Sequence, residues 1–417
     1  MALPQADFIA VDGTRLCSLS GAPFVILGCN CHYLASWATD VGSRAAVDAV
    51  LDGVAALGCN TLRCWAFNDV ARCDGGDDTP AWGALQTGPG VVSETGLCGL
   101  DYLIAGASRR GLRLILVLTN YWPEYGGMQA YLRWSDPSCP CDGDLTEAQR
   151  AAFYTHHGCR AAYLAYVATL ADRVNALTGL RYSDDATILA WELVNEPRDC
   201  SALPATPTRL HAWLAAVAPA VKALVPRQLV TVGLEGFWAA AAPDVEPGAQ
   251  QDDPVSRTWV PFTHGCDWAS DCSVPGLDFA CIHAYPGSWL PSDAACDDDA
   301  CCAFVAQWLA EHVECATTQL RMPVVLTEVG FSSQRPGRLQ LYSTVFGHVE
   351  ACLAQPAPSA LAGTCFWMAA HCGYPDGEGM NVAVAGDVSE QDAQLVRRIT
   401  AHYDAVRAWC RRAALHA

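Results

Sequence analysis

The sequence has very little positive charge. Only 25 of its 417 residues are lysine or arginine, against 44 aspartates and glutamates, and Lys222 is the only lysine. The formal net charge of −19 produces a field that repels nucleic acids and anionic membranes. These two classes of partner are therefore excluded, whereas a neutral polymer such as a polysaccharide is compatible with the charge.

Long apolar runs are also missing. No stretch reaches the roughly 20 apolar residues that a membrane-spanning helix needs. The first residues, MALPQADFIAVDG, lack a basic start followed by an apolar stretch, so no secretory signal is visible. The chain is nevertheless 52% hydrophobic and 17% charged, which allows a sizeable core. Its length suits one large α/β barrel with insertions, or two domains.

Zinc-site spacings are absent although the chain has 22 cysteines. Neither Cys29 with Cys31 nor Cys139 with Cys141 has the two-residue gap and the paired second half of a structural zinc site. A group in polar loops suits disulfides of a secreted protein: Cys266, Cys272, Cys296, Cys301 and Cys302. Others lie in apolar runs and are expected to be buried free thiols: Cys64, Cys281 and Cys365. We therefore expect an extracellular or secretory-pathway protein.

Eight short apolar runs have the character of strands that are covered on both faces. They lie at residues 24–30, 61–67, 112–120, 187–195, 229–235, 278–286, 323–330 and 363–370. Helical periodicity lies between most of them, at 149–178, 208–225 and 302–320, with a final helix at 389–411. The pattern predicts a (β/α)8 TIM barrel with elaborated βα loops, in one domain over residues 1–417. Long loops are expected at 69–98, 121–147 and 236–277.

Polar side chains stand at six of the eight strand ends, where a barrel keeps its chemistry. They are Arg63, Trp65, Asn120, Asn195, Glu196, His283, Tyr285, Glu328 and Trp367. Solvation alone does not explain why polar side chains from six strands would meet at one mouth of a barrel. The set predicts an active site built from several strands.

Two of these residues, Glu196 and Glu328, are carboxylates on different strands. Paired carboxylates about 5 Å apart are what a retaining glycosidase needs, one as nucleophile and one as acid and base. Arg63 and Tyr285 can keep one carboxylate ionised. Glu192 is mid-strand, and we expect it to form a buried ion pair instead. A metal site at His156 and His157 is not expected, because neighbouring helical residues face different ways, and no cofactor is implied.

The stretch ILAWELVNEPR (188–198) resembles the acid/base signature of glycoside hydrolase family 5, most closely its eukaryotic endo-β-1,4-mannanase branch. Further segments resemble those enzymes in the same order, over roughly residues 8 to 411. Among them are TLRCWAFND, NYWPEYGGMQAYLRW, VGLEGFW, MPVVLTEVGFS and FWMAAHCGYPDGEGM. The resemblance implies an endo-acting, retaining β-1,4-mannanase that hydrolyses mannan, glucomannan or galactomannan as a monomer.

The resemblance also implies a role for each matching residue. Glu196 would be the acid/base and Glu328 the nucleophile, with Arg63 and Tyr285 holding the nucleophile. The remaining roles concern substrate binding: Asn195 would bind the C2 substituent, His283 would sit beside the acid/base, Trp367 would be the platform under the cleaved sugar, Trp122 would stack on the glycone side, and Arg198 would lie on the aglycone side.

Three alternatives stay open on sequence grounds. A related barrel could act on another β-glycan, or it could transfer the glycosyl unit to a sugar, since the first chemical step is the same. A catalytically silent carbohydrate-binding barrel is opposed by the presence of both glutamates together with Arg63, Asn195, His283 and Tyr285. A metal-dependent hydrolase would need a cluster of His and Asp at the mouth.

Overall fold

The fold is a ring of eight parallel strands. The computed structural model describes residues 8–70, 83–141, 143–199, 208–238, 264–291, 295–355 and 359–414. The barrel strands are β1 (Ile26–Asn30), β2 (Thr61–Trp65), β3 (Arg113–Val117), β4 (Ile188–Asn195), β5 (Leu229–Gly233), β6 (Ala280–Ala284), β7 (Val324–Val329) and β8 (Leu361–Phe366). Every residue of these strands is buried, as expected for a sheet covered on both faces.

The strands follow one another around the ring in chain order. Hydrogen-bonded pairing runs β5-β4-β3-β2-β1-β8-β7-β6, and all of these pairs are parallel. The last gap, between β5 and β6, is bridged by backbone bonds from Asp278 N to Val230 O (2.8 Å) and from His283 N to Glu235 O (2.9 Å). The predicted (β/α)8 barrel is therefore confirmed, with all carboxyl ends of the strands at one mouth.

Helices follow the strands and cover the outside. They are α1 (Arg44–Leu57), α2 (Glu94–Arg109), α3 (His157–Asp172), α4 (Arg209–Leu224), α5 (Trp268–Cys272), α6 (Asp298–Cys315), α7 (Arg338–Ala354) and α8 (Glu390–Ala414). The short α5 lies within the stretch 236–277, for which a long loop was predicted. Within the described ranges, no helix combines the length and the apolar character that crossing a bilayer requires.

Shorter helices and strands lie at both ends of the barrel. Strands Ile9–Asp12, Arg15–Ser18 and Pro23–Phe24 form an antiparallel sheet, and Ile9 and Leu16 belong to the same buried cluster as interior barrel residues such as Ile115 and Val325. This sheet closes the amino-terminal end of the barrel. The others are Leu34–Trp37, Val41–Ser43, Gln86–Gly88, Val91–Val92, Gly127–Ser135, Glu147–Arg150, Ala151–Tyr154, Tyr182–Asp184, Pro286–Trp289, Ala316–Leu320, Ala369–His371 and Val382–Ala385.

Among the boundaries that differ from the sequence-based prediction, two have a clear structural reason. The helix predicted from residue 149 begins at His157, because His156 accepts the backbone N–H of Cys159 and so caps α3. The run 363–370 contains the end of β8 and then a separate strand, Ala369–His371, which pairs with Val382–Ala385 rather than continuing the barrel. The loop expected at 236–277 lies largely outside the described residues.

The expected disulfides are not found in the described part of the chain, where no two cysteines are bonded to each other. Of the loop set, Cys272 and Cys302 are buried and Cys296 is exposed. Burial raises the pKa of the Cys272 thiol well above its usual value, so this side chain behaves as a small apolar core residue. The disulfide prediction is wrong for these residues, because position in a polar stretch did not imply proximity of two sulfurs. Cys64, Cys281 and Cys365 are buried, as predicted.

Candidate active site

A cavity of about 780 Å³ opens at the carboxyl ends of the strands. Seven of the nine predicted site residues line it: Trp122, Asn195, Glu196, Arg198, Tyr285, Glu328 and Trp367. The other two, Arg63 and His283, are fully buried directly beneath them. The barrel thus brings the whole predicted set together, because each residue follows or ends a strand of the same ring.

Arg63 is the centre of a buried hydrogen-bond network below the cavity. Its guanidinium donates to both oxygens of Glu192 (2.7 and 2.6 Å), to Glu328 Oε1 (2.5 Å), to Asn195 Oδ1 (2.7 Å) and to Asn30 Oδ1 (3.0 Å). Glu192 is therefore the buried ion-pair partner that the sequence predicted. Both carboxylates and the guanidinium are satisfied, which a buried charge requires.

The Glu328 carboxylate, at the end of β7, is held from two sides. Arg63 donates to one oxygen, and the Tyr285 hydroxyl donates to the other. Burial raises the pKa of Glu328, while the charges of His283 and Arg63 and the Tyr285 hydrogen bond act in the opposite direction. The side chain is 4% exposed, and Glu328 is among the residues that line the cavity. This is a fixed carboxylate that is screened from bulk water.

Glu196 stands directly after β4 in a left-handed backbone conformation, with φ of +48°. This conformation is uncommon for a residue with a side chain and costs of order 1–3 kcal/mol. The backbone N–H donates to Gly233 O (2.8 Å) and holds the turn in place. The carboxylate accepts from Trp122 Nε1 (2.6 Å) and pairs with His283 Nδ1 (2.6 Å). The strained turn therefore serves to aim this carboxylate into the cavity.

His283 and Glu196 form a coupled proton pair. Burial works to raise the pKa of Glu196, but the hydrogen bonds and charge of His283 and the hydrogen bond from Trp122 outweigh it, so that this pKa is lowered. Burial works to lower the pKa of His283, but Glu328 and Glu196 outweigh it, so that this pKa is raised. Both directions favour an ionised Glu196 beside a charged His283, joined by the 2.6 Å contact between Nδ1 and the carboxylate.

Arg198 and Glu235 form one side of the cavity beyond the acid/base candidate. Arg198 donates to both oxygens of Glu235 at 2.7 Å and lies over the rings of Trp122 (4.9 Å) and Phe237 (5.4 Å). Burial and the charge of Glu196 raise the pKa of Glu235 to about 7 despite Arg198. Glu235 was not singled out from the sequence, although it ends the predicted fifth strand run.

Trp122 and Arg198 lie closer together than the sequence implied. They were expected on opposite sides of the cleaved bond, yet their side chains are in contact. The residues follow β3 and β4, which are neighbours in the ring, so their side chains share one region of the mouth. Trp122 also bonds the Glu196 carboxylate, a contact that sequence spacing could not reveal.

The opposite side of the cavity is an aromatic wall, which we define as His32, Trp65, Tyr125, Trp367 and Tyr374. All five line the cavity, and they come from the ends of β1, β2 and β8 and from loops after β3 and β8. Trp65 and Trp367 were noted from the sequence, whereas the other three were missed. The only sequence feature that points to these three residues is the aromatic content of the loops.

The Glu196 and Glu328 carboxylates lie close together at the mouth of the barrel. Donor atoms of Glu196, His283 and Glu328 all lie within 4.8 Å of one another. Carboxyl groups about 5–5.5 Å apart allow one to attack the sugar directly, whereas an intervening water needs a wider gap. The arrangement can therefore perform acid–base and nucleophilic chemistry on one bond.

Sequence comparison agrees with this geometry. Residues 6–249, more than half of the chain, match the family model described as "GH family 5 beta-mannosidase-like". The chain belongs to glycoside hydrolase family 5.

Relatives of this family 5 chain cover most of its length. It is 35% identical to the putative mannan endo-1,4-beta-mannosidase 9 of Oryza sativa subsp. japonica, over 87% of this chain and 81% of that protein. It is 32% identical to mannan endo-1,4-beta-mannosidase 5 of Solanum lycopersicum, over 92% and 88%. The crystal structure of the endo-beta-1,4-mannanase from Thermotoga petrophila superimposes with a TM-score of 0.72 at 27% identity, covering 91% of this chain and 77% of that one.

The Glu196, His283 and Glu328 donor set of this family 5 barrel could also be considered for a divalent cation. A metal would compete with the Arg63 guanidinium for Glu328 and with Trp122 and Tyr285 for the remaining lone pairs. The existing partners already provide the positive charge and the hydrogen bonds that the carboxylates need. The set therefore fits proton transfer better than metal ligation.

Proposed function

We propose that this chain hydrolyses internal β-1,4 bonds of mannan, glucomannan or galactomannan by a two-step mechanism with retention of configuration. The observation that carries the proposal is the pair Glu196 and Glu328, facing each other within 4.8 Å and held by different partners. The curated relatives that match most of the chain are named as mannan endo-1,4-beta-mannosidases, which supports the choice of substrate.

In the first step, Glu328 attacks the anomeric carbon and the bond from that carbon to the bridging oxygen breaks. Glu196 donates its proton to the departing oxygen, so that a glycosyl ester on Glu328 and a new reducing-end chain are formed. Arg63 and Tyr285 bind the Glu328 carboxylate in its ionised form and orient it for attack. The Trp367 ring offers an apolar face to the sugar.

In the second step, Glu196 takes a proton from water, and the resulting oxygen attacks the anomeric carbon and displaces Glu328. His283 acts through Glu196. Its Nδ1 proton, 2.6 Å from the carboxylate, can pass to Glu196 as a sugar displaces water and weakens the charged form. Asn195, held by Arg63 and Asn120, lines the cavity where a C2 hydroxyl would lie.

The remaining expectations belong to the same proposal. We propose that residues 1–417 form one catalytic domain that works as a monomer without a cofactor. The strong negative charge of the chain suits an extracellular polysaccharide substrate, because a neutral polymer is not repelled by it. We propose that Trp122 stacks on the glycone side and that Arg198 lies on the aglycone side, with the two side chains in contact beside the acid/base.

Hydrolysis of β-1,4-mannan should be internal. The viscosity of a galactomannan solution should fall well before reducing ends accumulate, because each internal cut shortens the chain while producing a single new end. Side-by-side rates on mannan, glucomannan and cellulose check the substrate. Equal or faster cleavage of cellulose would contradict the mannan assignment, and efficient oligosaccharide elongation at high substrate concentration would favour a transglycosylase.

The first-formed product should keep the β configuration. Two displacements at one carbon restore the original stereochemistry, and carboxylates this close favour direct attack by one of them over attack by an intervening water. Proton NMR of the anomeric signals during the first minutes of hydrolysis, before mutarotation, checks this. Early appearance of the α anomer would mean a single displacement and would contradict the two-step mechanism.

A further inference from the structure

His32, which follows β1, lies inside the aromatic wall. Its imidazole stacks against Trp367 with ring centroids 5.3 Å apart and 9° between the planes. Trp65 and Tyr125 flank it, each with a centroid distance of 5.7 Å. Its Nε2 lies 3.1 Å from the hydroxyl of Tyr374. The imidazole therefore touches both the indole that would carry the sugar and the loop beyond it.

The imidazole is neutral under ordinary conditions. Burial, helped by the positive charge of Arg63, lowers the pKa of His32 to about 4. A neutral imidazole has one acceptor nitrogen, so Nε2 can accept the hydroxyl hydrogen of Tyr374. A neutral ring also stacks on Trp367 without bringing a second positive charge toward Arg63.

Tyr374 belongs to the loop after β8, which supplies much of the cavity lining. Asp376, Glu378 and Asn381 of the same loop also line the cavity. The Tyr374 ring stacks on Tyr33 with centroids 3.7 Å apart, and its hydroxyl lies within hydrogen-bond distance of His32 Nε2. Tyr374 is thus fixed at its face by Tyr33, and its hydroxyl contacts both His32 and the Tyr125 side chain.

We propose that His32 is a positioning residue for the sugar platform. By stacking on Trp367 and bonding Tyr374, it sets the orientation of the indole relative to the loop after β8 on the glycone side of the cleaved bond. It acts through these two side chains and not by contact with the reacting atoms. The identity of the sugar rests on the proposed function, whereas the coupling of His32 to Tyr374 does not.

The variants separate stacking from hydrogen bonding. His32→Phe keeps an aromatic ring but cannot accept a hydrogen bond, and Tyr374→Phe removes only the hydroxyl. The substrate is an aryl β-mannobioside, because its glycone occupies the platform side while its activated leaving group makes few demands on the aglycone side. Each variant should lower kcat/KM about tenfold, the effect of one hydrogen bond that positions a substrate-binding group.

The double variant decides between positioning and a general structural role. If the two residues act as one unit, His32→Phe with Tyr374→Phe should lose no more kcat/KM than Tyr374→Phe alone, because the single Tyr374 variant already lacks the hydroxyl that bonds His32. His32→Gln, whose amide oxygen can accept at the Nε2 position, should recover part of the loss. His348→Phe on α7, outside the cavity, is the matched control and should leave kcat/KM unchanged.

Two results would overturn the proposal: additive losses in the double variant, or a His32→Phe enzyme with wild-type kcat/KM. Failure of the proposed function looks different, since the wild-type protein would then cleave an aryl β-cellobioside in preference to the mannobioside. The same set of variants on the cellobioside would still test the coupling. Circular dichroism melts of all variants show whether a loss of rate accompanies a loss of folding.

Discussion

We expect Glu328→Ala to lower kcat on the order of 10⁴- to 10⁶-fold. This is the scale known for removal of a nucleophile from covalent hydrolases. The glycosyl ester cannot form without this carboxylate. Folding should survive, because Arg63 keeps both hydrogen bonds to Glu192. In this variant the Arg63 guanidinium has one buried carboxylate beside it instead of two. Its melting temperature should therefore equal or exceed that of the wild-type protein. Steady-state rates and thermal melts measure both effects.

Azide distinguishes the roles of the two glutamates. On an aryl β-mannoside with a good leaving group, Glu328→Ala with azide should form the α-mannosyl azide, since azide attacks from the face that the carboxylate occupied. Glu196→Ala with azide should form the β-mannosyl azide, since azide then displaces Glu328 and needs no general base. The same azide product from both variants, or wild-type activity of Glu328→Ala, would contradict the assignment.

The fold could be predicted from sequence because the strand and helix patterns repeat. Seven of the eight apolar runs contain a whole barrel strand and the eighth contains the end of β8, because buried parallel strands are recognisable by their continuous apolar character. Boundaries were less certain, as at β8, where an apolar run continues past Phe366 into a strand with a different partner. Hydrophobicity indicates that a segment is buried, but it does not identify the strand with which it pairs.

The centre of the site was also predictable, because Glu196, Glu328 and Arg63 end or lie in strands whose geometry is fixed by the barrel. The residues that form the cavity walls could not be predicted. Tyr125 and Tyr374 lie in loops, and His32 follows the first predicted strand without any feature that marks it in the sequence. Their roles depend on how loops from distant parts of the chain meet over the mouth. The disulfide prediction failed for a similar reason, because it needed distances between loops.

Arg63 links the stability of the protein to its chemistry. Its guanidinium is fully buried between Glu192 and Glu328, with 0%, 0% and 4% side-chain exposure respectively. A Cβ at Gly233 would lie 2.0 Å from Glu192 Oε1, so the carboxylate packs directly against this glycine. Loss of the guanidinium would leave two negative charges in a buried site without their cation.

Arg63→Met should consequently destabilise the fold by about 3–5 kcal/mol, the cost of leaving a buried charge without its partner. Its activity should fall as well. Arg63 lowers the pKa of Glu328, so its removal raises that pKa further, and the ionised nucleophile is then lost at a higher pH. The acidic limb of kcat/KM should move toward neutral pH. Urea unfolding and pH–rate profiles measure the two effects.

The matched variant is Arg63→Met with Glu192→Leu, which removes the guanidinium together with its structural partner. It should recover much of the unfolding free energy, because one stranded charge disappears, while kcat/KM stays as low as in Arg63→Met, because Glu328 still lacks its cation. Stability and activity should thus separate in this pair. A double variant that is no more stable than Arg63→Met would show that Glu192 is not the charge whose burial depends on Arg63, and recovery of activity together with stability would show that Arg63 serves the fold and not the nucleophile.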